Sequence, residues 1–259
     1  MSQPSTNAAP RYRVDIVIPV LNEAHVLEGS LRTVCKFAEE NLPYDWNVVV
    51  ADNGSTDGTW ELANSLSEQE PRIRAVHLDQ RGRGRALRHT WTDSDADACC
   101  YMDVDLSTDL SHLKPLLSGV LEEGYGVSTG SRLMKESQVE RSVKREFISR
   151  CYNLFVRLAL STTFSDAQCG FKAASREVIQ EIVPQIEDQN WFFDTELLVL
   201  AERSGHRIKD IPVKWDEDSD TRVKIVSTAW EDIQGVFRLR RTLADRRRNQ
   251  GRHTTPPQR

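Results

Sequence analysis

The chain has 259 residues, of which 39% are apolar and 28% charged, and its formal net charge is −5. This composition is ordinary for a soluble globular protein of one large or two small domains. Its apolar runs are far shorter than the roughly 20 residues of a membrane-spanning helix, and its first residues lack the apolar core of a secretory signal. The five cysteines form no Cys-x-x-Cys pair, which favours buried thiols in a reducing cytosol.

Strand-like and helix-like segments alternate through the first half of the chain. Short apolar runs predict strands at 13–20, 46–51, 72–78, 97–102 and 125–132, and the segments between them have helical periodicity. This β-α-β-α order predicts an α/β fold, a doubly wound and mostly parallel sheet with helices on both faces.

The alternation stops after Arg132. The periodicity there predicts a basic amphipathic helix, a loop with a short strand, a second helix and a last strand, at about 142–161, 166–175, 193–205 and 206–215.

The polar ends of the chain suggest its division into regions. We expect one domain at 12–225 and a basic amphipathic helix at 226–248, with disordered ends at 1–11 and 249–259.

From Arg222 onward there are ten Lys and Arg against three Asp and Glu, which leaves a net charge of −12 for the residues before it. Such a split indicates a basic segment that acts against an anionic surface or partner. The alternative is a helix that packs on the domain with a solvated basic end.

Three positions lie at the carboxyl ends of predicted strands: Pro19 is the next-to-last residue of one, and Asp52 and Asp103 directly follow two others. In a doubly wound sheet, ligands bind beyond the carboxyl ends of the strands. We therefore expect these positions to share one edge of the sheet and to form a site there.

Asp103 and Asp105 form the one Asp-x-Asp pair of five that directly follows an apolar strand. Carboxylates separated by one residue leave the same face of an extended segment, so they can converge on one hard cation. Since no His or Cys stands beside them, Mg²⁺ or Mn²⁺ is favoured over zinc. The pair indicates a nucleotide or phosphate substrate, and the alternative is a solvated acidic turn.

The segment "RGRGRALR", 81–88, places two glycines and four arginines at a predicted helix start. Glycines let backbone amides approach an anion, and arginine matches phosphate geometry. The segment lacks the Gly-Lys-Ser/Thr of a P-loop. A solvated basic turn is the alternative interpretation.

Eight sequence blocks together resemble the family 2 glycosyltransferases of GT-A fold, most of all the dolichyl- or polyprenyl-phosphate sugar synthases. In chain order they are "IVIPVLNE", "ADNGSTDGT", "RGRGRALRHTW", "YMDVDLSTDL", "TGSRL", "DAQCGFK", "WFFDTELL" and "IPVKW". The resemblance covers about residues 12–235 and implies the same fold and a transferase activity.

The resemblance implies roles for individual residues. Those matching the nucleotide-sugar site are Pro19, Asn22, Glu23, Asp52, Gly54, Arg83, Asp103 and Arg222. Those matching the acceptor-phosphate site are Arg132, Arg145, Gln168 and Lys172, with Asp166, Gly170 and Phe171 in the same acceptor-side loop. The metal residues are Asp103 and Asp105, and the expected catalytic residues are Asp103, Asp105, Arg132 and Asp194.

The chain departs from the family pattern at two of these positions. Arg83 stands where a lysine is usual, and Arg222 stands where a Ser-Lys pair is common. Asp194 and Glu196 are expected to orient the sugar or a basic residue, and their alternative role is as an N-cap and a first-turn acid of a helix.

The implied reaction moves a sugar from a nucleotide-sugar to a polyprenyl phosphate, with inversion and with Mg²⁺ or Mn²⁺. UDP-glucose is favoured as donor, and GDP-mannose or another UDP-sugar is possible. Partners would be the donor, the lipid phosphate and a membrane surface, which makes the expected location cytoplasmic and peripheral. A hydroxyl acceptor is the alternative within the same fold.

Three other classes of protein fit less of the sequence. A haloacid-dehalogenase-type phosphatase needs Thr where Ser107 stands, and its acidic pair follows the first strand. A nucleic-acid-binding protein explains the arginine-rich end but leaves Asp52, Arg83 and Asp105 without a role, and the chain is acidic overall. A non-catalytic nucleotide-binding scaffold is disfavoured by the intact acidic pair.

Overall fold

The computed structural model describes residues 12–216 and 225–253. Its strands are β1 (Arg13–Val20), β2 (Asp45–Asp52), β3 (Ile73–His77), β4 (Ala98–Met102), β5 (Val127–Ser131), β6 (Gln138–Glu140), β7 (Phe171–Ser175), β8 (Ile208–Pro212) and β9 (Lys214–Asp216). Its helices are α1 (Ala24–Asn41), α2 (Thr59–Gln69), α3 (Arg83–Asp93), α4 (Leu113–Leu121), α5 (Val143–Leu160), α6 (Arg176–Glu181), α7 (Phe193–Arg203) and α8 (Ile225–His253). Short 3-10 turns lie at Leu110–His112 and Val183–Gln185.

The central sheet has the strand order β3-β2-β1-β4-β7-β5-β8. All neighbouring pairs are parallel except those of β7, which runs antiparallel to β4 and β5. The mostly parallel, doubly wound sheet is thus confirmed. Because Met102 pairs with Phe171, the residue after β4 and the residue before β7 lie side by side at the sheet edge.

Both faces of the sheet are covered by helices, as predicted. Along β1, Val17 packs into one apolar core with Leu87 of α3, while Ile16 and Ile18 pack into the other with Leu31 of α1. All five side chains are at most 1% exposed, and burial of each contributes roughly 1.5–3 kcal/mol. This alternation fixes which strand residues point to each face and hence the register of the strand ends.

Several element limits differ from the predicted ones. The strand predicted at 206–215 divides at Val213 into β8 and β9, and β9 pairs with β6 in a separate two-stranded sheet. The helix predicted over 226–248 is α8, which continues to His253, so residues 249–253 of the predicted disordered end are helical. Its arginines are good helix formers. Residues 1–11, 217–224 and 254–259 lie outside the described part, and the domain limits stay a prediction.

Candidate active site

Asp52 ends β2, and its buried carboxylate contacts two groups of the protein. Its Oδ2 lies 2.6 Å from Nδ1 of His77, and its Oδ1 accepts a hydrogen bond of 3.3 Å from the backbone N–H of Ser55. The His77 ring lies 5.1 Å from that of Trp60. Pro19 is buried on β1 beside Ala51. The predicted nucleotide aspartate is therefore held in a fixed orientation at the sheet edge.

The loops after β1 and β2 are tied together. Asn22 has a positive φ of 59°, and its Oδ1 accepts a hydrogen bond of 2.8 Å from the Thr56 N–H. The backbone N–H of Glu23 donates to the Thr59 hydroxyl at 2.9 Å. Gly54 has a φ of +83°, the left-handed region that favours glycine. Three predicted donor-site residues thus lie on two mutually braced loops.

Arg83 lies in the first turn of α3 and bridges two carboxylates. One guanidinium nitrogen donates to Asp103 Oδ1 at 2.7 Å and the other to Asp194 Oδ2 at 2.9 Å. The guanidinium also lies over the rings of Tyr101 and Trp191, at 4.8 and 5.1 Å from their centres. Burial alone lowers the pKa of Arg83, but Asp103 first, then Tyr101 and Asp194, raise it well above its ordinary value. A planar two-armed cation fits this position.

Asp194 is the buried centre of this cluster. It accepts hydrogen bonds from Arg83 and from the Tyr101 hydroxyl, and Lys172 Nζ lies 3.4 Å from its Oδ1. Helix α7 has Phe192 at its N-cap and no capping side chain, so Asp194 does not cap it. The carboxylate instead orients two basic side chains, which fits one of the two interpretations drawn from the sequence.

Glu196, two residues later, braces a different region. It accepts hydrogen bonds from the backbone N–H groups of Glu187 and Asp188, at 3.2 and 3.0 Å, and from Arg238 of α8 at 3.0 Å. Burial raises the pKa of this carboxyl. Its contacts hold the segment before α7 against α8.

The glycines of "RGRG" permit close packing of α3. A Cβ on Gly84 would lie 2.7 Å from Cβ of Phe193, and one on Gly82 would lie 2.5 Å from the carbonyl oxygen of Gln189. The Gly82 N–H donates to Asn53 Oδ1 at 3.1 Å. The glycines therefore seat the helix start on the segment before α7, and contact with a phosphate stays a prediction.

Asp103 and Asp105 follow β4 at the edge, beside the start of β7. The Asp103 side chain is 42% exposed, and a Cβ on Gly170 would come within 1.9 Å of its Oδ2. Asp105 is exposed, and its Oδ1 accepts a hydrogen bond of 2.9 Å from the Ser107 N–H. Glycine at 170 therefore leaves room for the Asp103 carboxylate in the orientation that it has here.

Asp103 and Asp105 offer the carboxylate oxygens that a hard divalent cation prefers, although a turn at residues 104–105, not an extended segment, separates them. Mg²⁺ usually takes one or two carboxylates and completes its shell with water and substrate phosphate oxygens. Within residues 12–216 and 225–253 no group of three or more Asp, Glu, His or Cys gathers as a metal site made by protein alone. Asp103 and Asp105 would then hold Mg²⁺ or Mn²⁺ together with the substrate.

Arg132, just after β5, forms a two-point ion pair with Asp166. Its Nε and one terminal nitrogen lie 2.8 and 3.1 Å from the two carboxylate oxygens, and its backbone N–H donates at 3.2 Å. Burial alone raises the pKa of Asp166, but the charge and hydrogen bonds of Arg132 outweigh it and lower that pKa to about 2. The guanidinium also lies 5.6 Å from the ring centre of Trp215. The pair thereby ties the end of β5 to the loop before β7.

The other predicted acceptor residues are dispersed. Lys172 is fully buried and donates to the Cys169 carbonyl at 2.7 Å. The Gln168 side-chain amide donates to Asp232 of α8. The backbone N–H of Arg145 is capped by Ser142 at 3.4 Å in the first turn of α5. Arg222 lies outside the described residues. The structure thus groups Lys172 with the Arg83 cluster and places Gln168 against the C-terminal helix.

Three site residues were not assigned from the sequence. Tyr101 stands two positions before Asp103 on β4, and the alternation of a strand could have placed both on one side. Trp191 lies in the quoted block "WFFDTELL", and it is 38% exposed beside Arg83. His77 ends β3 next to Asp52, yet no local pattern indicates that pair.

The sequence matches a known family over most of the folded region. The model of Glycosyl transferase family 2 matches residues 15–183. Glycosyltransferase AglD of Haloferax volcanii is 41% identical over 236 residues, which are 90% of this chain and 37% of AglD. The dolichyl-phosphate beta-glucosyltransferase of Dictyostelium discoideum is 27% identical over 88% of this chain and 73% of its own length. This chain therefore spans little more than a third of AglD.

Solved structures share the fold. Glucosyl-3-phosphoglycerate synthase of Mycobacterium tuberculosis, in complex with Mn²⁺, UDP and glucosyl-3-phosphoglycerate, superposes with a TM-score of 0.67 and 18% identity, over 89% of this chain and 80% of that one. Mannosyl-3-phosphoglycerate synthase of Rubrobacter xylanophilus superposes with a TM-score of 0.65 and 19% sequence identity, over 95% of this chain and 77% of that one. The expected GT-A type of α/β fold is confirmed, and the chain belongs to glycosyl transferase family 2.

Proposed function

We propose that the protein transfers a sugar, with inversion, from a nucleotide-sugar to a polyprenyl phosphate. The observation that carries the proposal is Arg83, held between the half-exposed Asp103 and the buried Asp194 at the edge where the donor-side loops end. A cation fixed beside the predicted metal aspartate would favour the departure of a diphosphate at this edge.

The donor would lie across the ends of β1, β2 and β4. Asp52 and the loop carrying Asn22 would hold the nucleoside. Asp103 and Asp105 would hold the metal, and the donor diphosphate would supply further oxygen ligands to it. When bound, Mg²⁺ or Mn²⁺ stabilises the negative charge that develops on the leaving diphosphate. The mycobacterial synthase of the same fold is described with Mn²⁺ and UDP, which supports a UDP-sugar donor. UDP-glucose is the favoured one, since several relatives are dolichyl-phosphate beta-glucosyltransferases.

The acceptor side follows from charge. A phosphate monoester has a second pKa of about 6, so a polyprenyl phosphate is largely dianionic at neutral pH and needs no strong general base. It does need cations that bring it close to an anionic donor. Arg132, whose orientation Asp166 fixes, would supply one of them, and Arg145 at the start of α5 another. Lys172 would act through Asp194, since its ammonium is fully buried.

The bond changes are those of a direct displacement. An acceptor phosphate oxygen forms a bond to the anomeric carbon on the side opposite the donor phosphate. The bond from that carbon to the diphosphate oxygen breaks, and its electron pair leaves with the nucleoside diphosphate. Inversion follows because attack and departure are on opposite faces. Arg83 keeps the Asp103 carboxylate in place throughout.

The lipid acceptor requires access to a membrane surface. We propose peripheral binding at the cytoplasmic face, to which the basic helix α8 contributes through residues such as Arg240 and Arg241. Each basic residue near an anionic bilayer contributes about 1 kcal/mol. No helix in the described part of the chain is long and apolar enough to cross a bilayer.

The proposal is tested by incubating the protein with Mn²⁺ or Mg²⁺, a polyprenyl phosphate and a panel of UDP- and GDP-sugars. Mass spectrometry of the organic phase then detects a sugar-phosphate lipid. We expect product from one donor and none with Asp105→Ala, while Asp93→Ala, which removes an exposed carboxylate at the far end of α3, retains activity. If nucleotide binds but no donor yields lipid product, the lipid acceptor is wrong, and a hydroxyl acceptor is tested next.

A further inference from the structure

Helix α5 exposes a continuous apolar stripe. Val143, Phe147, Leu154 and Leu158 are 86, 69, 56 and 74% exposed, and they are four of the seven large hydrophobic side chains exposed in the described residues. Their spacings of four, seven and four residues place them on one face of the helix. Several large apolar side chains exposed together on one face mark an interaction surface.

The opposite face of α5 packs on the candidate active site. Asn153 is buried, and its Oδ1 accepts a hydrogen bond of 2.7 Å from the backbone N–H of Ala167 in the acceptor-side loop. The Tyr152 hydroxyl lies 3.2 Å from that of Thr195, the neighbour of Asp194. A surface bound to the stripe therefore lies about one helix diameter, roughly 10 Å, from the site.

Basic residues border the stripe. Lys144, Arg150 and Arg157 are exposed on α5. The sole acid of this helix is Glu146, which is paired with Arg141 and Arg150. A helix with an outward apolar face and cationic flanks has the pattern of one that lies in the interface of an anionic bilayer. The apolar stripe favours contact with lipid tails, and the flanking Lys and Arg favour contact with anionic headgroups. An anionic lipid surface offers both.

The same surface continues onto α8. The rings of Phe155 on α5 and Phe237 on α8 lie 6.3 Å apart, edge to face. Phe237 is half-exposed and Trp230, seven residues before it, is 63% exposed. Tryptophan is enriched at membrane–water interfaces. The apolar contacts available to a bilayer thus extend across both helices.

We propose that the outward face of α5, defined by Val143, Phe147, Leu154 and Leu158, docks the protein on an anionic lipid bilayer. The proposal rests on the proposed function, because it explains how a lipid-borne phosphate reaches Arg132 and the Asp166 loop. The α5 face is the principal contact, and the arginines of α8 add to it.

Flotation with vesicles of phosphatidylcholine, with and without phosphatidylglycerol, tests the α5 face. We expect the full chain to float with the anionic vesicles at low salt. The variant Phe147→Gln/Leu154→Gln/Leu158→Gln should bind about 100-fold more weakly, and Lys144→Gln/Arg157→Gln should lose about fivefold per charge, only on anionic vesicles. The matched variant Trp230→Gln on α8 should lose less than the α5 triple variant. Circular dichroism and urea unfolding confirm that each variant folds.

Three results would overturn the α5 proposal. The wild type could remain unbound to every vesicle, or the α5 triple variant could float as well as the wild type. Sedimentation could also show a concentration-dependent dimer that the α5 variant abolishes, without vesicle binding, which would make a second copy of the chain the occupant of this face.

A separate measurement distinguishes failure of the surface from failure of the function. Transfer to a short-chain polyprenyl phosphate dispersed in detergent needs no bilayer, so the α5 triple variant should retain it at the wild-type rate. Loss of vesicle binding with full transfer in detergent supports the proposal. Vesicle binding by a wild type that transfers sugar to no lipid phosphate would support the surface and overturn the proposed function.

Discussion

Arg83 and Asp194 are 111 positions apart in the chain and are joined by a hydrogen bond of 2.9 Å. The second arm of the same guanidinium reaches Asp103 at 2.7 Å. One side chain therefore links the start of α3, the end of β4 and the first turn of α7. The position of the predicted metal aspartate depends on the buried carboxylate behind it.

Replacing Arg83 by lysine tests this two-armed contact. A single ammonium cannot bridge both carboxylates and stack between two aromatic rings as the planar guanidinium does. We expect Arg83→Lys to lower kcat/KM for the nucleotide-sugar by about tenfold or more, as the loss of one charge-assisted hydrogen bond implies. Steady-state kinetics with varied donor measures it. Arg32→Lys, which alters an exposed pair with Glu28, is the control and should be neutral. Equal kinetics for both variants would show that the bridge is not needed.

Asp194→Asn removes the charge that the buried Lys172 and Arg83 share. Breaking a buried ion pair by removing one partner costs about 3–5 kcal/mol, because the other charge is left uncompensated. We expect a loss of about 3 kcal/mol in the free energy of unfolding and a large loss of turnover. Urea unfolding and single-turnover assays measure the two effects. Lys172→Met in the same background should restore part of the stability, and unchanged turnover in Asp194→Asn would exclude a role for this carboxylate in the site.

Chelation and substitution of Asp105 test the metal. We expect EDTA to abolish transfer and added Mn²⁺ to restore it. Asp105→Asn should raise the Mn²⁺ concentration for half-maximal activity by about 100-fold or more, since loss of a group that only supports a metal ligand already costs about 10- to 100-fold. Mn²⁺ binding followed by electron paramagnetic resonance provides a readout independent of turnover. An Asp105→Asn variant with the Mn²⁺ affinity of the wild type would remove Asp105 from the metal site.

The Arg132–Asp166 pair predicts both an acceptor effect and a pH effect. Asp166→Asn frees Arg132 from its two-point contact, so KM for the lipid phosphate should rise while KM for the donor changes little. Because the pKa of Asp166 is lowered to about 2, below its ordinary value near 3.9, the pair stabilises the fold above pH 4 and loses that contribution as pH falls through 2. Urea unfolding should therefore show a deficit for the variant at pH 7 that disappears toward pH 2. A donor KM that rises as much as the acceptor KM would contradict the assignment.

The sheet and its edge could be predicted because buried strands are encoded locally. The segment "RVDIVIPV" is buried on both faces, so its apolar run identifies it as a central strand without knowledge of its neighbours. The location of Asp52 and Asp103 at one edge then follows, because parallel strands end at a common edge of the sheet. The antiparallel direction of β7 could not be predicted, because the periodicity of a strand is the same in both directions. The residues of "FKAAS" do not indicate which direction the strand takes.

Contacts between side chains that are distant in the chain could not be predicted from the sequence. Lys172 lies in a short strand and gives no local indication of burial, since its partner Asp194 is 22 positions later and is brought to it by packing of α7. The same holds for His77 and Asp52, which meet because β2 and β3 pair in register. The exposed stripe on α5 was visible as an apolar pattern, but only the packing of the opposite face shows which side it presents to solvent.

Asp232 gives a stability prediction with a defined pH range. Burial raises its pKa to about 7, with further raising by Asp188 and Asp194, although the Gln168 amide lowers it. The folded state therefore binds this proton more tightly than the unfolded chain, whose aspartate pKa is about 3.9. The contribution is favourable below that value and is lost as pH rises from about 4 to 7.

The neutral isostere Asp232→Asn removes this titration while its amide oxygen can still accept the Gln168 hydrogen bond. We expect the free energy of unfolding of the variant, relative to the wild type, to rise by about 2 kcal/mol between pH 5 and pH 8 and to stay constant above that. Urea unfolding at four pH values measures the difference, and Asp93→Asn, at an exposed position, should show no such trend. A difference that is constant over this range, or that falls as pH rises, would mean that Asp232 is ionised in the folded protein throughout and that Gln168 and α8 hold a carboxylate.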